Sequence, residues 1–173
     1  MLKHYDNIIS KLTQIIFISG ILINLLPGLA SAQTEKDSTT LTAMVEKYKS
    51  IWDTHNTAAL AELFTQDADF IMGNLPLLNG RKAIQNWWQN YFNRQEPERK
   101  LTIVINSLRF ISDDVAIINI TTTTGGKDST GEELLNRKAR GTWVVHQQNG
   151  NWLIEAMRGM PTEEDQIIRA GVH

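Results

Sequence analysis

The stretch RKARGTWVVHQQNGNWLIEAMRGM, residues 137–160, decides the fold. In its first half Ala139, Gly141, Trp143 and Val145 alternate with Lys138, Arg140, Thr142 and Val144. A period of two is the mark of a strand with one apolar face. Gln148-Asn149-Gly150 interrupts it, and Asn-Gly between two such runs is a hairpin signal. Trp152 to Met160 then returns as the second arm. Upstream, Val115 to Thr124 is rich in Val, Ile and Thr, as strands are. Leu101 to Phe110 is a further strand, with a turn at Ser112-Asp113-Asp114 between the two. Gly125 to Glu133 reads as a polar loop.

Earlier still, the period changes. Leu41, Met44, Val45, Tyr48, Ile51 and Trp52 recur in steps of three and one, an amphipathic helix that Thr39 or Thr40 can cap. His55-Asn56 breaks it, and a shorter helix is expected over Thr57–Phe64. Asp67-Ala68-Asp69 reads as a turn into a short strand, Phe70-Ile71-Met72. Gly73 to Gly80 is a loop. Ile84, Trp87, Trp88, Tyr91 and Phe92 give a third helix, about Arg81–Asn93, a broad aromatic face, and Pro97 closes that segment. Helices first and strands last argue an α+β fold: a curved antiparallel sheet wrapped around three N-terminal helices.

The N-terminus has a different character. Lys3 and Lys11 precede an apolar stretch, Leu12 to Leu29, which ends at Pro27-Gly28 and Ala30-Ser31-Ala32. A basic start, an apolar middle and an Ala-x-Ala end form a secretory signal pattern, with cleavage expected before Gln33. The expected organisation is a signal over 1–32, a polar leader over 33–40 and one domain over 41–173. The product would be secreted or periplasmic, with no membrane association after cleavage.

Composition narrows the chemistry. Seventeen Lys and Arg against 19 Asp and Glu leave a formal charge of −2, which gives no electrostatic reason to expect nucleic acid. The chain has no cysteine, so disulfides, a thiolate nucleophile and sulfur-ligated metals are excluded. No histidine pair has metal-ligand spacing, and no metal or cofactor is expected. Thr124-Gly125-Gly126-Lys127 lacks the spacing of a phosphate loop.

Ile51-Trp52-Asp53-Thr54-His55-Asn56, Ala59-Leu60-Ala61-Glu62-Leu63-Phe64 and Asp67-Ala68-Asp69-Phe70 together resemble the opening of SnoaL-like domains, most closely the SgcJ/EcaC group. Gly80-Arg81-Lys82-Ala83-Ile84, Arg140-Gly141-Thr142-Trp143 and Asn149-Gly150-Asn151-Trp152-Leu153-Ile154 agree. The resemblance implies the cone-shaped fold of nuclear transport factor two, ketosteroid isomerase and scytalone dehydratase, with a pocket in the cone and a homodimer formed through the sheet. It does not imply one function, because this fold hosts enzymes, binders and assembly modules.

Against the isomerase pattern, Tyr48 falls near the phenol position, Met72 at the base position and Thr142 near the acid position. Met72 cannot accept a proton. Asp69, His55 and Tyr48 are the acid–base candidates that remain. Their structural alternatives are a turn aspartate, a helix-end histidine and a core tyrosine. Trp52, Met72, Trp88 and Trp143 are candidates to line an apolar pocket. Of the adjacent pair Trp87 and Trp88, about 100° apart on a helix, one is expected to line it and the other to meet another element. Arg158 shares strand parity with Trp152, Ile154 and Ala156, so it is expected inside, paired with either Asp69 or an acidic ligand. The leading expectation is an exported domain that binds a small apolar or ring-containing molecule. An acid–base enzyme using the same pocket and a homo-oligomeric assembly module stand beside it.

Overall fold

A computed structural model describes the backbone of residues 26–163 and 165–166, and the side chains of that set from Asp37 onward. The chain divides after Thr40, and Leu41 opens the compact unit that carries the sheet. Helix α1 spans Leu26–Trp52. The polar segment 33–40, expected as a loose leader, is helical in it. Most of the expected signal segment lies outside the described residues. Among the described residues no helix is long and apolar enough to cross a membrane.

Helix α2 (Thr57–Ala61) is capped by Asn56, whose side chain accepts from the Ala59 amide at 3.0 Å. It stops three residues before the expected end, because Phe64 belongs to the next element. Strand β1 covers Phe64–Met72, so Asp67 and Asp69 lie within a strand rather than in a turn. Phe64, Ala68 and Phe70 are fully buried, and this apolar set outweighs the turn preference of the two aspartates. A short β2 (Leu78–Asn79) follows, then α3 (Arg81–Phe92). Gly80 at its N-terminus has φ of 84°, a left-handed conformation that favours glycine.

Strands β3 (Lys100–Phe110), β4 (Val115–Lys127), β5 (Glu133–Gln148) and β6 (Asn151–Pro161) complete a curled six-stranded sheet of order β2-β1-β6-β5-β4-β3. The Asn149-Gly150 hairpin forms as expected, with φ of 52° and 77° at its two residues. The expected 125–133 loop shrinks to 128–132. There the Asp128 carboxylate accepts from the Thr130 and Glu132 amides. The one parallel pairing, β1 on β6, departs from the all-antiparallel expectation. It follows from chain order: β1 and β6 are separated by α3 and four strands, so nothing forces a hairpin between them.

Inward residues of the sheet pack on α1 and α3. The fully buried set includes Leu41, Leu60, Phe64, Phe70, Ile84, Ile118 and Ile154. Beside this core the fold leaves a hollow.

Candidate functional site

The hollow has a volume of about 640 Å³, inside the range typical of small-molecule pockets. One wall is aromatic. Tyr48 and Trp52 come from successive turns of α1, and Trp87, Trp88 and Tyr91 from α3. The rings brace one another. Tyr48 lies 4.7 Å from Trp143 and 6.5 Å from Trp88, while Trp87 stacks on Tyr91 at 5.4 Å. Edge-to-face and offset contacts of this kind fix ring orientation as well as burying area.

The sheet wall contains a strip of small residues. The inward positions of β5 and β6 that border the hollow include Ala139, Gly141 and Gly159, beside Arg137, Trp143 and Met157. A Cβ on Gly159 would sit 2.6 Å from the Met72 sulfur, and one on Gly141 would sit 3.0 Å from Ile120. These positions leave the space that Met72 and the hollow occupy. Thus Tyr48, Trp52, Met72, Trp88 and Trp143, five of the sequence candidates, converge on one cavity. Trp87 and Trp88 both line it, against the expectation that only one would. Their rings lie 4.7 Å apart at 74°, and the hollow is wide enough to touch both.

The other candidates are elsewhere. A bulge in β6 leaves Glu155 unpaired: Ile154 faces Val145, and Ala156 faces the next residue, Val144. The extra residue reverses parity, so Met157 and Gly159 point inward and Arg158 joins the outer face beside Thr142. The expectation that Arg158 shares a face with Trp152 and Ile154 is therefore corrected. Arg158 borders the hollow's rim, but its guanidinium donates to the Asp69 carboxylate at 2.5 Å on the outer face. That carboxylate raises the Arg158 pKa further, chiefly through the hydrogen bond. Of the two partners left open by the sequence, Asp69 is the one found. Asp69 itself, between Ala68 and Phe70, faces away from the cavity.

His55 is a positive-φ residue at the end of α1 (φ 55°). Its ring stacks on Phe92 at 4.3 Å, away from the residues that line the hollow. Its Nε2 is buried without a hydrogen-bond partner. Burial first and Lys100 second hold its pKa below 6.5, with Asp53 opposing. Burial, with a smaller contribution from Tyr91, pushes the Tyr48 phenol far above its usual range. Tyr48 is thus a proton donor for a hydrogen bond and not a base. The three acid–base candidates do not meet: Tyr48 faces the hollow, His55 lies under Phe92 and Asp69 faces outward.

Several lining residues escaped the sequence reading, Arg137 and Arg94 among them. Arg137 has the parity of Ala139 and Trp143 and pairs with Thr124 across β4, so it faces inward. Arg94, just past the end of α3, borders the same space. The signal for Arg137 was the strand alternation itself, extended by one step. Arg94 lay in a segment with no periodicity. Among the described residues the lining contains no Asp, Glu or His.

The model of the SnoaL-like domain matches residues 45–153. The chain belongs to the SnoaL-like domain family. No curated protein matches it in sequence. This SnoaL-like domain is similar in structure to an NTF2-like protein with a cystatin-like fold from Novosphingobium aromaticivorans. That pair has a TM-score of 0.67 and 16% identity over 86% of this chain and 97% of the other. It is also similar to a cystatin-like domain of unknown function from Nostoc punctiforme, with a TM-score of 0.65 and 22% identity over 79% and 85%. A hexachlorocyclohexane dehydrochlorinase, with a TM-score of 0.66 and 14% identity over 76% and 89%, shares the fold as well. At these identities the likeness shows the cone-shaped fold and nothing of the chemistry. The matched region stops at Leu153, so the bulge and the inward Gly159 are features of this chain beyond it.

Proposed function

We propose that this SnoaL-like domain binds a small, ring-containing, largely apolar molecule in its hollow. The observation that carries the reading is the contrast of the two walls: five mutually braced aromatic rings from the helices face a strip of Ala139, Gly141 and Gly159. A flat ring would slide between them, with large apolar contact on one side and backbone on the other. Tyr48, held protonated, would supply one hydrogen bond. The enzyme reading finds no carboxylate or imidazole in the lining among the described residues to serve as a proton acceptor within hydrogen-bond reach.

The test is binding of neutral aromatic probes such as 2-naphthamide, followed by quenching of tryptophan fluorescence. The wild-type chain is expected to bind, and Ala139→Trp, which fills the small strip of the sheet wall, to abolish binding while the protein still melts cooperatively. Equal probe binding by the filled variant would refute the reading. We also propose export. It rests on the Lys3, Lys11 and Ala30-Ser31-Ala32 pattern. N-terminal sequencing of the protein expressed with its leader should begin at Gln33.

A further inference from the structure

We propose that the hollow selects an anionic ligand, a ring compound bearing a carboxylate, through the guanidinium groups of Arg94 and Arg137. This rests on the reading above that the hollow takes a ring-containing molecule, and it names the polar group of that ligand. The cations of the fold differ in whether an acid of the protein holds them. Arg81 is bound to Glu62 and to the Phe64 carbonyl, Arg99 to Glu96, Arg158 to Asp69, and His146 to Glu155. Those cations are committed to acids of the protein. Among the described residues Arg94, Arg137, Lys138 and Arg140 border the cavity and form no ion pair; of these, Arg137 has the inward parity of β5, and Arg94 follows α3. The one internal bond of the Arg94 side chain runs from Nε to the Asn90 carbonyl at 3.0 Å, which leaves its terminal nitrogens to other partners.

Position strengthens the case. Arg137 is the inward residue of β5 two steps beyond Ala139, on the sheet wall, and Thr124 and Thr122 flank it across β4. Arg94 follows α3, which supplies Trp87, Trp88 and Tyr91 to the aromatic wall. The two cations therefore come one from each wall. Glu96, which interacts electrostatically with Arg137, accepts the Arg99 Nε at 3.0 Å, and Arg99 also donates to the Leu135 carbonyl. Glu96 is thus held by a different arginine. A ring acid seated between the walls would place its carboxylate toward guanidinium forks, whose paired N–H groups match carboxylate geometry. Desolvation by the surrounding rings strengthens such a contact relative to one in bulk water.

The experiment compares 2-naphthoate with its neutral isostere 2-naphthamide on the full chain, at low and at high salt. Wild type is expected to prefer the acid by about tenfold or more, the worth of one charge-assisted hydrogen bond. Arg137→Gln and Arg94→Gln should each cut that preference several-fold and leave the amide's affinity within about twofold, since only the charge is removed. Arg109→Gln, on β3 and outside the cavity lining, should leave the preference intact. Equal affinity for acid and amide in wild type overturns the anion inference while the ring-binding reading stands. Loss of preference in Arg109→Gln as large as in Arg137→Gln also overturns it, because a diffuse surface potential would then be the cause. Failure of both probes to bind overturns the two together. A melting curve for each variant separates loss of binding from loss of fold.

Discussion

The two faces of β5 and β6 are built from alternating residues of the same chain, yet they hold charge differently. On the outer face two clusters of charges are paired, while Lys138 and Arg140 form no ion pair among the described residues. Arg158 holds Asp69, and His146 contacts Glu155 at 2.8 Å and Asp114 at 3.6 Å. On the inner face Arg137 stands next to Ala139 and Gly141 and forms no ion pair among the described residues, with Glu96 acting on it only at longer range. A buried or half-buried cation without a partner is costly unless a ligand or water supplies one. The comparison teaches that pairing inside the protein, and not charge as such, separates structural arginines from those available to a ligand.

Four experiments would break or sharpen this contrast. The largest effect is expected at the base of the inner face. Trp143 is 2% exposed and packed on Tyr48, so Trp143→Ala should cost about 3–5 kcal/mol of stability, read by denaturant unfolding. A loss below about 1 kcal/mol would mean that the inner wall is looser than described. Tyr48→Phe keeps the ring and removes one hydroxyl. It should weaken naphthamide binding a few-fold and change stability by roughly 1 kcal/mol or less, the usual worth of one hydrogen bond. On the outer face, Arg158→Ala should leave probe binding unchanged and cost about 0–1 kcal/mol, because both partners of that pair are partly exposed. Loss of probe binding in this variant would return Arg158 to the cavity and undo the parity argument.

The smallest effect concerns His55. Its folded pKa lies below the unfolded value near 6.5, so the unfolded chain takes up the proton first as pH falls. The stability it contributes is complete above pH 6.5 and is lost as pH drops toward the folded pKa. Melting temperatures between pH 7.5 and 5 should fall less steeply for His55→Gln than for wild type. Identical slopes would show that the imidazole titrates as it does in water.

Much of the cavity was legible in the residues. The helix period placed Tyr48 and Trp52 on one side of α1, and strand alternation placed Trp143 with Ala139 and Gly141. Those patterns hold because a buried stripe or face has a fixed spacing. Arg158 was misplaced for the same reason: parity counting assumes an unbroken ladder, and one unpaired residue at Glu155 shifts everything after it. Asp67 and Asp69 were misread as a turn because local preference was weighed without the burial of Phe64, Ala68 and Phe70 around them.

By itself the sequence determined the element types, the Asn149-Gly150 hairpin and the aromatic stock of the interior, since these follow from local spacing and from backbone conformations that few residues adopt. Only the tertiary structure decided which cations have partners. Ion pairs such as Arg158 with Asp69 join residues 89 positions apart in the chain. Such a pairing depends on strand register and on a single bulge, and neither leaves a periodic trace in the order of residues.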